Sequence, residues 1–129
     1  MLLVRAYVGP SPIHGTGCFA AEPIKKGQIV WVLDERIDGI IPAAKLPEFP
    51  PPAQEFLLMY GYQTMQGGEK VIILCGDHAK HMNHSDEPNL IEIDDPEGAN
   101  IAARDIEAGE ELTCDYYSFD LDGLRKLGK

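Results

Sequence analysis

A mostly β fold is what this sequence predicts, and three observations carry that expectation. Its apolar runs are short, they are rich in β-branched and aromatic residues, and turn signals interrupt them throughout, with 13 glycines and 10 prolines in 129 residues. No run has the length of a long helix or a membrane span, and no repeat or low-complexity tract is present.

Taken in order, Leu2–Val8 reads as a first strand closed by Gly9-Pro10-Ser11-Pro12, and a short strand follows through Cys18-Phe19-Ala20. A turn at Glu22–Gly27 leads into the strand Ile29–Leu33. Five prolines crowd positions 42, 47, 50, 51 and 52, so this stretch is expected to be an irregular surface loop. Residues 53–60 start just after proline and place Phe56, Met59 and Tyr60 on one face, which predicts a short apolar-faced helix. Beyond Gly67-Gly68, Lys70–Leu74 is a strand, and His78–Met82 is a single helical turn. Strands over 90–93 and 99–103, joined through 94–98, predict a hairpin.

Composition sets wider bounds. The chain has the length of one domain, and 44% hydrophobic with 25% charged residues is ordinary for a globular protein. Met1–Val4 lacks the charged start of a secretory signal. Three cysteines, Cys18, Cys75 and Cys114, stand apart in sequence, which argues against a disulfide frame or a structural zinc site and for a reducing, cytoplasmic setting. The net charge of −10 is local: residues 86–122 hold thirteen acids against the single base Arg104, while residues 1–85 are nearly balanced. Such a field repels nucleic acid and draws in lysine- and arginine-rich peptides. A solvated face that keeps the protein soluble explains it equally well.

Three polar segments stand out. The densest is Asn83-His84-Ser85-Asp86-Glu87-Pro88-Asn89, two amides, an imidazole and a hydroxyl on a loop that feeds the strand Leu90–Ile93. Before it comes His14-Gly15-Thr16-Gly17, a Gly-x-Gly turn entering a strand, and after it Glu110-Glu111-Leu112-Thr113-Cys114-Asp115-Tyr116. Taken singly, each reads as a structural turn or a core tyrosine.

In this order and at these separations the three segments resemble the SET domain of protein-lysine methyltransferases, over roughly residues 4–117. The pattern there is a Gly-x-Gly turn, then Asn-His-Ser-Cys-x-Pro-Asn, then Glu-Leu-x-x-Asp-Tyr, and this chain has Asp86 where cysteine is usual. The resemblance implies one domain over 1–129 with a tail from 118, small curved sheets with short helical turns, and a knot-like C-terminal substructure. It also implies methyl transfer from S-adenosylmethionine to a lysine in a basic protein or peptide, with no direct role for nucleic acid or membrane.

Site roles follow by the same resemblance. Gly15 and Gly17, with His14 and Thr16 in the same turn, would let the methionine part of the cofactor approach the backbone. Asn83 would bind the methionine end, the backbone of His84 the adenine edge, and Tyr116 would be the catalytic tyrosine between methyl donor and amine. Leu33 stands where many members have an aromatic residue lining the lysine channel, and Cys114 where Phe or Tyr often governs how many methyls are added. No cysteine-rich, zinc-bound segment follows Tyr116. The tail is therefore expected to close the cofactor pocket, with Phe119 over the adenine and Leu121, Leu124 and Leu127 on one helical face, packed on the domain or pairing two copies as a homodimer.

Two other classes are weighed beside this. One is a SET-fold module that binds basic peptides without turnover. The other is a metal centre on His78, His81 and His84 with Asp77, disfavoured because the i, i+3, i+6 positions drift around a helix axis and no further ligand pair follows.

Overall fold

The computed structural model describes residues 1–93 and 99–128. Its strands are short, as the brief apolar runs predict, and pair two or three at a time. In chain order they are β1 (Ala6–Pro10), β2 (Thr16–Ala20), β3 (Ile29–Val32) and β4 (Gly39–Pro42), followed by helix α1 (Pro51–Tyr60). Then come β5 (Tyr62–Gln66), β6 (Glu69–Leu74), β7 (Asn83–His84), β8 (Leu90–Ile93), β9 (Ala99–Ala102) and β10 (Thr113–Cys114). The tail carries α2 (Tyr116–Phe119) and α3 (Gly123–Leu127).

Among the described residues these form four small sheets: β1 with β2, β3-β9-β8, β4-β6-β5, and β7 with β10. All pairs are antiparallel except the last, where Asn83 lies opposite Thr113 and His84 opposite Cys114 in a parallel pair. This pair brings the Asn-His-Ser and Glu-Leu-x-x-Asp-Tyr segments side by side. The 94–98 turn of the β8–β9 hairpin lies outside the described residues.

Several elements differ from the sequence expectation for physical reasons. The first strand begins at Ala6, and Leu2 makes only an isolated bridge to Trp31. The proline-rich stretch is largely regular: Pro42 ends β4, Ala43–Glu48 forms a 3₁₀ helix, and Pro51 and Pro52 open α1. Prolines at a strand end and in a first helical turn forgo only N–H groups that have no ladder partner there. In α1 the buried residue is Leu57, while Phe56 and Met59 are exposed, so the expected face is the wrong one. Strand β5 has no clear apolar alternation and went unforeseen; it forms because Gly67 and Gly68, both at positive φ, turn it back onto β6.

The main core cluster draws on β2, β3, β8, β9 and β10 and on the loops between them. Cys18, Ala20, Ile24, Val30, Leu90, Ala102, Ile106 and Leu112 are almost wholly buried in one cluster. Burying each large aliphatic side chain contributes about 1.5–3 kcal/mol. Leu112, fully buried, anchors the segment that leads into β10 and so fixes where Tyr116 emerges.

Candidate functional site

The site is built where β7 and β10 lie side by side. Two residues per strand supply little ladder, and side chains complete it. Ser85 N–H donates to the Cys114 carbonyl at 3.0 Å. Buried Asn89 acts as a surrogate strand: its Nδ2 donates to the Glu111 carbonyl at 2.8 Å, its Oδ1 accepts from Thr113 N–H at 2.8 Å, and its N–H donates to Thr113 Oγ1 at 3.2 Å. The last residue of the Asn-His-Ser motif thus holds the Glu-Leu segment in place.

On one side of β7 lies an oxygen-rich pocket. The Asn83 Nδ2 group faces the carbonyls of His14 (3.1 Å) and Thr16 (3.3 Å), Ser11 Oγ (3.2 Å) and Glu111 Oε2 (2.9 Å). Four acceptors surround two hydrogens, so the pocket keeps acceptor capacity for a cationic donor such as a primary ammonium. Ser11 Oγ donates to the Glu111 carboxylate at 2.8 Å. Gly17 is required here: a Cβ would lie 2.5 Å from Glu111 Oε2 and 3.0 Å from Ser11 Cβ. Gly15 adopts a left-handed φ of 45° that tightens the same turn. The turn between β1 and β2, with Gly15 and Gly17 in it, therefore brings the His14 and Thr16 carbonyls to Asn83.

His84 links this pocket to the tail. Its Nδ1 accepts from Tyr116 N–H at 3.1 Å, so the ring hydrogen sits on Nε2, which donates to Asp86 at 2.9 Å. Asp86, the departure from the motif, thereby fixes the ring orientation. The His84 ring meets Tyr116 and Tyr117, with centroids 5.5 and 5.2 Å away.

On the other side lies a cavity lined by Trp31, Tyr62, Cys75, Cys114, Tyr116 and Phe119 among others. The Tyr116 hydroxyl donates to the Met82 carbonyl at 2.7 Å. Burial pushes the Tyr116 and Tyr62 phenols above the ordinary tyrosine range, so both are neutral at pH 7. Trp31 Nε1 is buried without a hydrogen-bond partner, a polar handle in a lining that also holds Glu92, Asp120 and Lys126. Burial raises all three thiols, Cys75 and Cys18 to about 12, which leaves Cys114 a small apolar wall rather than a nucleophile.

The tail arrives differently from expectation. Phe119 packs edge-on against Tyr62 and Tyr116, at centroid distances of 5.2 and 5.9 Å, and so lines the cavity; Tyr117 is the tail ring that meets His84. The leucine face is not packed on the domain, since Leu121 and Leu124 are 58% and 62% exposed. Polar anchors replace it, as buried Asp120 accepts from Gln63 N–H at 3.0 Å and from Lys126 Nζ at 2.7 Å.

The histidines do not gather. Asp77 caps the His78–His81 turn and accepts from Leu2 N–H at 2.7 Å, and His81 packs edge-on to Tyr60. Among the described residues no group of three or more His, Cys, Asp or Glu side chains is placed to hold a metal ion. The residues that sequence reasoning left without a role are Ser11, Glu111, Trp31, Tyr62, Asp120 and Lys126. Glu111 stood within a motif; the others carry no local signal.

Comparison with known proteins gives the family and the fold. The model of the SET domain matches residues 15–117, and the chain belongs to the SET-domain family. No curated protein matches it. Among solved structures, the Polycomb Repressive Complex 2 of Chaetomium thermophilum bound to GSK126 is similar at 21% identity and a TM-score of 0.69, over 97% of this chain and 17% of that one. A humanized mutant of the same complex gives 23% identity and a TM-score of 0.65, over 95% of this chain and 16% of that one. A Plasmodium falciparum protein provisionally assigned as a histone methyltransferase gives 24% and 0.58, over 89% of this chain and 95% of that one. At these identities the likeness is one of fold. The chain spans under a fifth of the length of the Chaetomium chains it matches.

Proposed function

We propose that this SET-domain chain is an S-adenosylmethionine-dependent N-methyltransferase that acts on a lysine side chain in a basic protein or peptide segment. The observation that carries the reading is the Tyr116 hydroxyl, bonded to the Met82 carbonyl, at the wall of a cavity lined by aromatic rings and next to the acceptor cluster around Asn83. S-adenosylmethionine, when bound, supplies an electrophilic methyl group on a sulfonium.

The acceptor surplus around Asn83 fits the ammonium end of its methionine part, so His14, Gly15, Thr16, Gly17 and Asn83 would hold that end. The backbone of His84 would take the adenine edge, with Tyr117 beside it and Phe119 assigned to the cavity wall. The oxygens of Tyr116 and Met82 would stabilise the partial positive charge on the methyl hydrogens, and this stabilisation grows as the transfer proceeds.

An incoming lysine must be neutral to attack, which costs about 4.6 kcal/mol at pH 7 for a free side chain. Trp31, Tyr62 and Phe119 lower that cost by desolvating the amine, while Asp120 on the same wall favours the charged form as the side chain enters. Tyr116 does not take the proton, because its own phenol is raised by burial, so the proton leaves to solvent before the amine seats. The acidic stretch 86–122 favours encounter with basic segments. Three buried, unpaired cysteines support a reducing, cytoplasmic setting. Among the described residues no helix is long and apolar enough to cross a membrane. The exposed Leu121 and Leu124 are the surface on which a homodimer contact would form.

Mass spectrometry of labelled methyl transfer from S-adenosylmethionine into basic peptides and whole-cell lysate tests the reading. Label on lysine supports it, and binding of peptides without any label points to a non-catalytic module.

A further inference from the structure

The cavity already contains an amine. Lys126 lines it, with a side chain only 13% exposed and its Nζ 5.8 Å from the centre of the Tyr116 ring. The Nζ group donates to Asp120 Oδ2 at 2.7 Å and to the Gly61 carbonyl at the C-terminal end of α1. Asp120 is itself fixed, its Oδ1 accepting from Gln63 N–H and from Asp122 N–H at 2.9 Å. A buried carboxylate, a helix C-terminal carbonyl and the face of a tyrosine together make a site for a primary ammonium.

Neighbouring contacts hold the tail in this pose. Arg125 donates to the Leu58 carbonyl at 2.9 Å and pairs with Asp122, and Leu121 N–H donates to the Gln63 carbonyl at 2.9 Å. The positively charged end of the tail thus closes on the last carbonyls of α1. The apolar stem of Lys126 lies in the cavity and its charged end against Asp120, as a long cationic side chain does where its head has a partner.

We propose that Lys126 is an intramolecular occupant of the substrate-amine site, so that the tail restrains the protein until a basic segment displaces it. The inference rests on the proposed methyltransferase reading, because it takes the Tyr116 cavity to be the place where a lysine binds. As an ion-paired donor Lys126 presents no lone pair, so it fills the site without reacting. A substrate lysine competes with a group tethered within the same chain, and its apparent affinity falls by the fraction of molecules with the tail released.

The test uses Lys126→Met, which keeps the stem and removes the charge, and Lys126→Ala. Calorimetry without cofactor measures binding of a basic peptide bearing one lysine, and of its twin with arginine in that position. Displacement predicts that both variants bind the lysine peptide at least about tenfold more tightly than the unchanged protein, with little gain for the arginine twin. Unchanged affinity, with a lowered melting temperature as the only effect, makes Lys126 a structural staple and overturns the proposal. So does a methyl group on Lys126 after incubation with S-adenosylmethionine. Tighter binding with no methyl transfer by any of the proteins supports the occupant and defeats the methyltransferase reading. Methyl transfer by all three with equal peptide affinity does the reverse.

Discussion

Asn83 and Met82 are adjacent in the chain, yet they serve two regions with opposite chemistry. The Asn83 side chain enters a pocket of carbonyl, hydroxyl and carboxylate oxygens, while the Met82 carbonyl meets Tyr116 at the wall of an aromatic cavity. Met82 lines the cavity and Asn83 does not, as the alternation of side chains along an extended segment allows. On the proposed reading, a donor that carries charge and an acceptor that must lose it would be held one peptide unit apart. The two regions also differ in how they are built. The oxygen-rich pocket is made almost entirely of motif residues, whereas the cavity is assembled from five separate stretches.

The largest effect is expected where the two regions meet, at Tyr116. Tyr116→Phe should lower turnover by about 10²-fold or more, the scale of losing one oriented hydroxyl, while S-adenosylmethionine binding and circular dichroism stay unchanged. Near wild-type turnover would remove Tyr116 from the chemistry. On the pocket side, Asn83→Ala should weaken S-adenosylmethionine binding by about 1–3 kcal/mol, measured by calorimetry. Asn89→Ala serves as its counterpart: it leaves Thr113 N–H and the Glu111 carbonyl without partners, so its loss of about 1–3 kcal/mol should appear in denaturant unfolding as global stability.

On the cavity side, Phe119→Ala should raise KM for a lysine peptide by about tenfold, equivalent to about 1.4 kcal/mol, with a smaller effect on the cofactor. An equal loss in cofactor affinity would instead put Phe119 over the adenine. The smallest effect belongs to the acidic stretch. Increasing salt from low to physiological should reduce kcat/KM on a basic peptide several-fold, because ions screen the field within about 8 Å. A flat profile would assign the acids to solubility.

This contrast also explains what was legible in the sequence. The oxygen-rich pocket could be read because its chemistry demands glycine at 15 and 17 and an amide at 83 within short, ordered motifs. The mostly β architecture could be read from brief apolar runs. The cavity was less legible, since Trp31, Tyr62 and Phe119 look like any core aromatics until tertiary structure brings β3, β5 and the tail together. The proline-rich segment misled because proline forbids interiors but suits strand ends and first turns, and Pro42 and Pro51 occupy those positions. The tail misled because an i, i+3, i+6 leucine pattern suggests a packed helix. Asp120 and Lys126 carry the docking instead, and a buried ion pair leaves no periodic trace.

The division of labour across β7 is tested most directly by measuring two affinities on two variants. Calorimetry should follow S-adenosylmethionine and a lysine peptide, each alone, on Asn83→Ala and on Phe119→Ala. Asn83→Ala should lose affinity for S-adenosylmethionine by at least about tenfold and keep its affinity for the peptide, and Phe119→Ala should show the reverse. If both variants lose the same ligand, or either loses both equally while still folded, donor and amine do not occupy separate sides of the strand.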